Sequence, residues 1–158
     1  MQAETQTQDE LRDLYRDLIL DHARNPRNFG KLDDATDSAE GINPLCGDKL
    51  KMYFQVDADN QITNAKFEGS GCAISVASAS LLTETVVGMS TQDALDYFSA
   101  IVALLNGGSA TSEAKIDLGR LTALRGVREF PSRVKCATLA WQALNSAIQK
   151  ESTPASTE

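Results

Sequence analysis

The sequence lacks any apolar run that approaches the roughly 20 residues of a membrane-spanning helix. It also lacks a basic excess, since the formal net charge is −7. A protein that binds nucleic acid usually needs a basic face, so this charge argues against such a partner. The first ten residues, MQAETQTQDE, are polar and acidic, unlike a signal peptide. These absences predict a cytoplasmic protein that binds neither nucleic acid nor membrane.

Cysteine and histidine are scarce, with three cysteines and one histidine in the 158 residues. An odd number of cysteines, in a compartment that keeps thiols reduced, argues against a disulfide framework. No two cysteines form a CxxC pair, so the spacing alone is a weak signal for a metal site. Any function of these residues therefore depends on their meeting in the folded protein.

The chain is long enough for one domain with a substantial core. We predict a single domain over residues 8–150, because residues 1–7 and 151–158 are small and polar and predict disordered tails. Apolar residues at helical spacing predict a first helix from Leu11 that ends near Arg24, just before Asn25-Pro26.

The middle of the chain has the pattern of strands and the later part that of helices. Leu50, Met52, Phe54 and Val56 alternate with polar residues, which predicts a half-buried strand. The other predicted elements are a strand just before Cys46, a turn at 59–60, a returning strand over 62–70, and helices over 73–87, 90–105, 118–124 and 133–150. Early strands and late helices indicate an α+β fold.

Each of the three cysteines lies at the end of a predicted element, where side chains can converge. Cys46 is on the loop NPLCGD, with Asp48 two positions later; Cys72 ends the segment GSGC; and Cys136 lies near the start of the last helix. Three sulfurs and one carboxylate are enough for a closed tetrahedral zinc site, and thiolates favour zinc, copper(I) or iron–sulfur species. The alternative is that the cysteines are small buried hydrophobic residues.

Four blocks of the sequence together resemble the SufU branch of the IscU-like scaffold family, the proteins similar to the N-terminal domain of NifU. The blocks are LYRDLILDHARNPRNFG, NPLCGD, GSGCAISVASAS and FPSRVKCATLAWQAL, and they extend from about Leu11 to Ile148. Lys135 stands where IscU proteins carry a histidine before the third cysteine, and residues 109–129 resemble an extra segment of SufU. The resemblance implies a small antiparallel sheet covered by helices and a role in iron–sulfur cluster assembly.

The resemblance also implies a site and a chemistry. It places metal ligands at Cys46, Asp48, Cys72 and Cys136. It implies a zinc-dependent sulfurtransferase that accepts persulfide sulfur from a SufS-type cysteine desulfurase and passes it to downstream Suf cluster-assembly machinery. One alternative is a scaffold that assembles a transient Fe–S cluster on the same ligands, and another is a structural zinc module. The absence of the local histidine favours the sulfur carrier.

Three residues are considered individually: Cys46 has one predicted role, and Arg133 and His22 have two alternative interpretations each. Cys46 is the predicted sulfur acceptor, because it lies on a loop beside Gly47 and can leave a closed site more easily than a cysteine in a helix. Arg133 is either a supporting cation near the thiolates, as the resemblance implies, or a solvated arginine. His22 is either a metal ligand or, as we expect, a hydrogen-bonded structural residue that closes the first helix.

Overall fold

The structure is a computed structural model that describes residues 15–106 and 118–150, together with the backbone of residues 155–156. Strands come early and helices late, which confirms the predicted α+β class. The elements are α1 (15–24), β1 (Asp37–Asn43), β2 (Asp48–Val56), β3 (Ile62–Ser70), α2 (Ala73–Val86), α3 (Thr91–Leu105), the 3₁₀ helix η1 (Gly119–Glu129), α4 (Pro131–Ile148) and β4 (Ala155–Ser156).

The sheet has the strand order β3-β2-β1-β4, and β1, β2 and β3 pair in antiparallel fashion. The first hairpin places Asn43, the last residue of β1, directly opposite Asp48, the first residue of β2. Along β2 the predicted alternation is present in part: Leu50, Met52 and Phe54 are buried and Lys49 is exposed, but Tyr53 is also buried and Val56 is only half-buried. One face of β2 therefore packs in the core. The first residue of this strand, Asp48, lies next to the β1–β2 loop.

Helix α4 is the central helix, and it packs against β1, β2, α2, α3 and η1. At Gly41 of β1 it comes so close that an added Cβ would lie 3.1 Å from the Leu139 side chain. The helix begins at Pro131, two residues before the predicted start at Arg133, because proline at the first helical position loses no intrahelical hydrogen bond. Its central position fixes Cys136, in its second turn, against the sheet.

The predicted helix boundaries agree with local chemistry in several places. The first helix ends at residue 24, before Asn25-Pro26, although its predicted start at Leu11 lies outside the described residues. Ser90 caps α3, and its Oγ accepts a hydrogen bond of 3.0 Å from the backbone N–H of Asp93. The 3₁₀ helix η1 is longer than the short helical piece predicted over 118–124.

The predicted tails lie mostly outside the part of the chain that the structure describes. Within the segment 151–158, Ala155–Ser156 pairs in parallel with Gly41 and Ile42 at the edge of the sheet. Among the described helices, none combines the length and apolar character required to span a bilayer.

Candidate metal site

Four separate parts of the fold each bring one predicted metal ligand to the same region of the molecule. The β1–β2 loop carries Cys46, β2 begins with Asp48, and α4 contributes Cys136 from its second turn. The ligand atoms of these three residues all lie within 4.8 Å of one another. Cys72, which precedes the first residue of α2, adjoins this group, with its Sγ 4.0 Å from Oδ2 of Asp48. The fold thus brings the four predicted ligands together from positions far apart in the sequence.

Asp48 is a buried carboxylate that is held on both oxygens. Its Oδ1 accepts a hydrogen bond of 2.8 Å from the backbone N–H of Cys72, and its Oδ2 accepts one of 2.7 Å from the Ser75 hydroxyl. These bonds offset the cost of burying the charge. Gly71 makes the approach possible, because a Cβ at this position would lie 2.9 Å from Oδ1. Each oxygen keeps a lone pair that can bind a metal.

Cys46 lies on an exposed loop, in contrast to the other ligands. Its backbone N–H donates a hydrogen bond of 3.2 Å to the carbonyl of Asn43, which closes a tight turn through Pro44 and Leu45. Gly47 follows with φ +70°, a conformation that favours glycine. Among the cysteines, Cys46 is exposed, Cys72 is half-buried and Cys136 is 1% exposed. Cys46 is therefore the most accessible of the three thiols.

Cys136 is enclosed by the sheet and by α2. The side-chain amide of Asn43, itself fully buried, donates from Nδ2 to the Cys136 Sγ at 3.7 Å. The backbone carbonyl of Cys136 lies 3.4 Å from the Ser75 hydroxyl. Two neighbouring elements thus fix this cysteine.

Burial is the largest influence on the pKa of both inner thiols. It raises the pKa of the Cys136 thiol well above that of a free cysteine, and contacts with the other three predicted ligands raise it further. Burial also acts to raise the pKa of Cys72, but hydrogen bonds with Ser75 and Cys136 outweigh it and the pKa lies below that of a free cysteine. Since cysteine binds metals as thiolate, metal uptake at this site must release protons.

The donor set fits a zinc ion. Ligand atoms about 2.3 Å from a tetrahedral zinc are themselves roughly 3.8 Å apart. The ligand atoms of Cys46, Asp48 and Cys136 lie within 4.8 Å of one another and therefore need only small side-chain adjustments to reach that geometry. Cys72 adjoins this group, with its Sγ 4.0 Å from Oδ2 of Asp48. Three sulfurs match a thiophilic metal, and the single carboxylate completes four ligands.

Arg133 and Lys135 lie on the first turns of α4, close in sequence to Cys136. Arg133 is exposed, three residues before Cys136, so the two positions are on the same side of the helix. Lys135 is half-buried and occupies the position directly before Cys136. Neither residue belongs to the group of Cys46, Asp48 and Cys136 that could hold a metal ion.

His22 lies outside the group of ligand atoms, buried between helices. Its Nδ1 is 2.7 Å from the Ser80 Oγ of α2, and its Nε2 is 2.9 Å from an Arg120 nitrogen of η1. Because arginine can only donate, Nε2 must accept and Nδ1 must carry the proton that it donates to Ser80. The neutral histidine thus joins α1 to α2 and η1.

Two polar residues of the site have no role in the sequence analysis. Ser75 belongs to the segment SVASAS, whose small residues can be explained by close helix packing alone. Asn43 belongs to NPLCGD. Ser75 could have been found because it follows Cys72 by three positions on a helix and shares its face. Asn43 could have been found from the hairpin, which places it opposite Asp48.

Comparisons with known proteins agree with the fold. The model of the NifU-like N terminal domain matches residues 14–153. The chain is 43% identical over 138 residues to the zinc-dependent sulfurtransferase SufU of Bacillus subtilis, covering 87% of this chain and 91% of that one. It is 41% identical over 143 residues to the iron–sulfur cluster assembly scaffold protein IscU of Thermotoga maritima, covering 89% and 96%.

A solved structure supports the same assignment. It is a SufU from Fervidobacterium islandicum, described as an iron–sulfur cluster assembly scaffold protein for the SUF system, with 34% identity and a TM-score of 0.76, and the match covers 83% of this chain and 93% of that one. The resemblance of the four sequence blocks is thereby confirmed. Similarity over most of both chains, on one shared fold, shows that this protein belongs to the NifU-like N-terminal domain family, as a SufU-type member of its IscU-like scaffold proteins.

Proposed function

We propose that this protein is a zinc-dependent sulfurtransferase, a sulfur carrier that serves iron–sulfur cluster assembly. The observation that carries the proposal is the combination of one exposed thiol, Cys46, with the buried ligands Asp48 and Cys136 in a single compact group. A purely structural metal site needs no exposed ligand. A carrier needs one, because its acceptor must meet the donor protein.

The four side chains divide into anchors and an acceptor. Asp48, Cys72 and Cys136 would hold a zinc ion from the inside, and Cys46 would close the site from the loop. Zinc bound there would keep the cysteine sulfurs deprotonated near neutral pH, whereas a free cysteine titrates at about 8.5. Cys46 is the acceptor, since it is the exposed cysteine of the three and its loop has glycine at position 47.

The transfer step exchanges one sulfur–sulfur bond for another. The Cys46 thiolate attacks the terminal sulfur of a persulfide on the donor, and a new S–S bond forms as the donor's S–S bond breaks. The donor cysteine leaves as a thiolate, and the proton of the terminal sulfur stays on the new Cys46 persulfide. No oxidant or reductant is required, because the sulfane sulfur keeps its oxidation state.

The donor in this proposal is a SufS-type cysteine desulfurase, and the recipient belongs to the downstream Suf cluster-assembly machinery. Support comes from the similarity to SufU of Bacillus subtilis, which carries the name of a zinc-dependent sulfurtransferase. Arg133, exposed on the first turn of α4, supports the anionic sulfur or the docking of the donor. Because this chain has a formal net charge of −7, the partner's docking surface is expected to be rich in basic residues.

A second candidate function is a scaffold that assembles a transient Fe–S cluster on the same ligands. The observation in its favour is the similarity to IscU of Thermotoga maritima and to other relatives named as scaffolds. Against it stands Lys135, a cation that does not normally bind a metal, at the position before Cys136. Thiolates alone would suit either function.

One experiment separates the two functions. The zinc-loaded protein is mixed with a SufS-type desulfurase and cysteine, and both desulfurase turnover and the mass of each cysteine peptide are measured. We expect faster turnover and one added sulfur on the Cys46 peptide, both lost in Cys46→Ser. An unchanged turnover, together with visible absorbance of a cluster after anaerobic reconstitution with iron and sulfide, would instead support the scaffold.

A further inference from the structure

Asn43 is a buried amide that only partly satisfies its hydrogen-bonding groups. It is the last residue of β1 and is fully buried. Its Nδ2 donates to the Cys136 Sγ at 3.7 Å, whereas its Oδ1 has no hydrogen-bond partner among the described residues. Burying an unpaired amide oxygen is unfavourable, and an apolar side chain of similar size would avoid that cost. The residue therefore needs an explanation other than packing.

The turn at NPLC does not provide that explanation. Cys46 donates its backbone N–H to the backbone carbonyl of Asn43, a contact that any residue at position 43 could make. The side chain of Asn43 points instead to the sulfur of Cys136. Its distinctive contribution is an N–H group directed at a predicted metal ligand.

An N–H directed at sulfur matters most when the sulfur is a thiolate. A hydrogen bond to a charged acceptor is stronger than one to a neutral acceptor. The reversed amide would set its oxygen against an electron-rich sulfur, so metal loading favours the orientation seen here. The donated bond withdraws electron density from the Cys136 sulfur and fixes its direction, as groups behind metal ligands commonly do.

We propose that Asn43 is a positioning residue that keeps Cys136 as the stationary, weakly nucleophilic ligand and so directs incoming sulfur to Cys46. Two of the three inner ligands then have their own orienting groups: Asp48 is held by Ser75 and the Cys72 N–H, and Cys136 by Asn43. Cys46 lies on the exposed loop instead. The direction of sulfur rests on the proposed function, whereas the effect of Asn43 on the bound metal does not.

Two substitutions test the role of the amide, and a third controls for the loss of a buried polar group. Asn43→Asp keeps the shape of the side chain and removes its N–H, and Asn43→Ala removes the whole group. Ser78→Ala is the control. The Ser78 hydroxyl donates a hydrogen bond of 2.6 Å to the carbonyl of Ala137, the residue after Cys136, and not to a ligand sulfur. Circular dichroism and thermal unfolding identify the variants that fold.

The first readouts concern the metal and are independent of sulfur transfer. In the cobalt-substituted protein, the sulfur-to-cobalt charge-transfer band should move to lower energy in both Asn43 variants, because the sulfur loses its donor. Zinc release to a chelator should accelerate by about 10-fold or more, the usual effect of removing such a group. A band and a release rate in Asn43→Asp and Asn43→Ala that equal those of Ser78→Ala would overturn the proposal.

A measurement on the wild-type chain covers the case in which neither Asn43 variant folds. With NMR-active cadmium in the site, a scalar coupling should connect the metal to one Asn43 side-chain amide proton through the Cys136 sulfur. Absence of this coupling, in a sample where couplings to the cysteine Hβ protons are visible, would contradict the hydrogen bond.

The final measurement tests which cysteine receives the incoming sulfur. With desulfurase and cysteine, added sulfur should be confined to Cys46 in the wild type and should also reach Cys136 in the Asn43 variants. If the wild type carries no sulfur on Cys46, the proposed function fails while the metal readouts still decide the role of Asn43. Sulfur confined to Cys46 in the folded Asn43 variants would refute the directing role.

Discussion

The hydroxyl of Ser75, in the first turn of α2, donates a hydrogen bond of 2.7 Å to Oδ2 of Asp48, the first residue of β2. The same hydroxyl lies 3.6 Å from the Cys72 sulfur. One small side chain thus connects the sheet, a helix start and two predicted ligands.

Replacing Ser75 by alanine should weaken zinc retention and lower the stability of the metal-free protein. The substitution leaves a buried carboxylate with one hydrogen bond fewer, at a cost of about 1–3 kcal/mol. Competition with a chelator and urea unfolding measure the two effects. Ser78→Ala is the matched control, since it removes a buried serine hydrogen bond to α4 rather than to Asp48. Equal zinc retention in the two variants would show that Ser75 does not orient the ligand.

Gly71→Ala should displace the Asp48 carboxylate. The new Cβ would lie 2.9 Å from Oδ1, closer than a carbon and an oxygen can pack, so we expect a stability loss of about 1–3 kcal/mol and weaker zinc binding. The control is Gly126→Ala, where a Cβ meets nothing within 4 Å and should change stability little. Calorimetric zinc titration and thermal unfolding report on both variants. A Gly71→Ala protein that binds zinc as tightly as the wild type would contradict the need for close approach.

Removing the metal should destabilise the fold, because its predicted ligands come from the first hairpin, the start of α2 and the start of α4. A ligand present at 1,000 times its dissociation constant stabilises the folded state by about 4 kcal/mol. We therefore expect a lower midpoint of thermal unfolding after chelation, restored by added zinc. Cys136→Ser should show almost no response to zinc. A wild-type midpoint that is the same with and without zinc would contradict a metal that links these elements.

Arg133→Ala should reduce stimulation of the desulfurase while leaving zinc bound. The guanidinium is exposed on the first turn of α4, outside the group of ligand atoms, so its loss should not affect the metal. Arg133→Lys keeps the charge and should retain part of the stimulation. Arg125→Ala removes an exposed arginine of η1 and serves as the control. If Arg133→Ala and Arg125→Ala stimulate turnover equally well, Arg133 is a solvated surface residue.

Stability should fall as the pH drops below about 6.5, the usual pKa of histidine. Burial lowers the pKa of His22, and the charges of Arg27 and Arg120 add to this effect while Glu84 and Asp21 oppose it. The unfolded chain therefore binds a proton that the folded chain does not, and stability is lost as pH falls from 6.5 toward the folded pKa. Thermal unfolding between about pH 5 and 8 measures the slope, and His22→Gln should flatten it. An equal slope in the two proteins would exclude His22 as its source.

Local features of the fold could be predicted from the sequence, because short-range physics determines them. Alternation along Leu50, Met52 and Phe54 predicts the strand, Pro26 limits the first helix, and Ser90 caps α3. The predicted start of α4 at Arg133 is two residues late, because a proline usually indicates a helix break whereas Pro131 occupies the first helical position.

The contacts that organise the site could not be predicted in the same way. The hydrogen bond from Asn43 to Cys136 joins residues 93 positions apart, and that from Ser75 to Asp48 joins residues 27 positions apart. Such pairs depend on how the helices cross the sheet, which no local pattern records. The residue types and the resemblance to a family predict a ligand set, but not the polar groups behind it.

The contact between Gly41 and Leu139 has a consequence for how the sequence can vary. Because position 41 has no side chain, β1 and α4 can approach each other closely there. Asn43 on β1 and Cys136 on α4 each lie within three positions of this contact. A methyl group at position 41 would push the helix outward while most of the core stays intact. We therefore expect mutational tolerance to be unequal, with variants at this contact that still fold but have lost the alignment of their ligands.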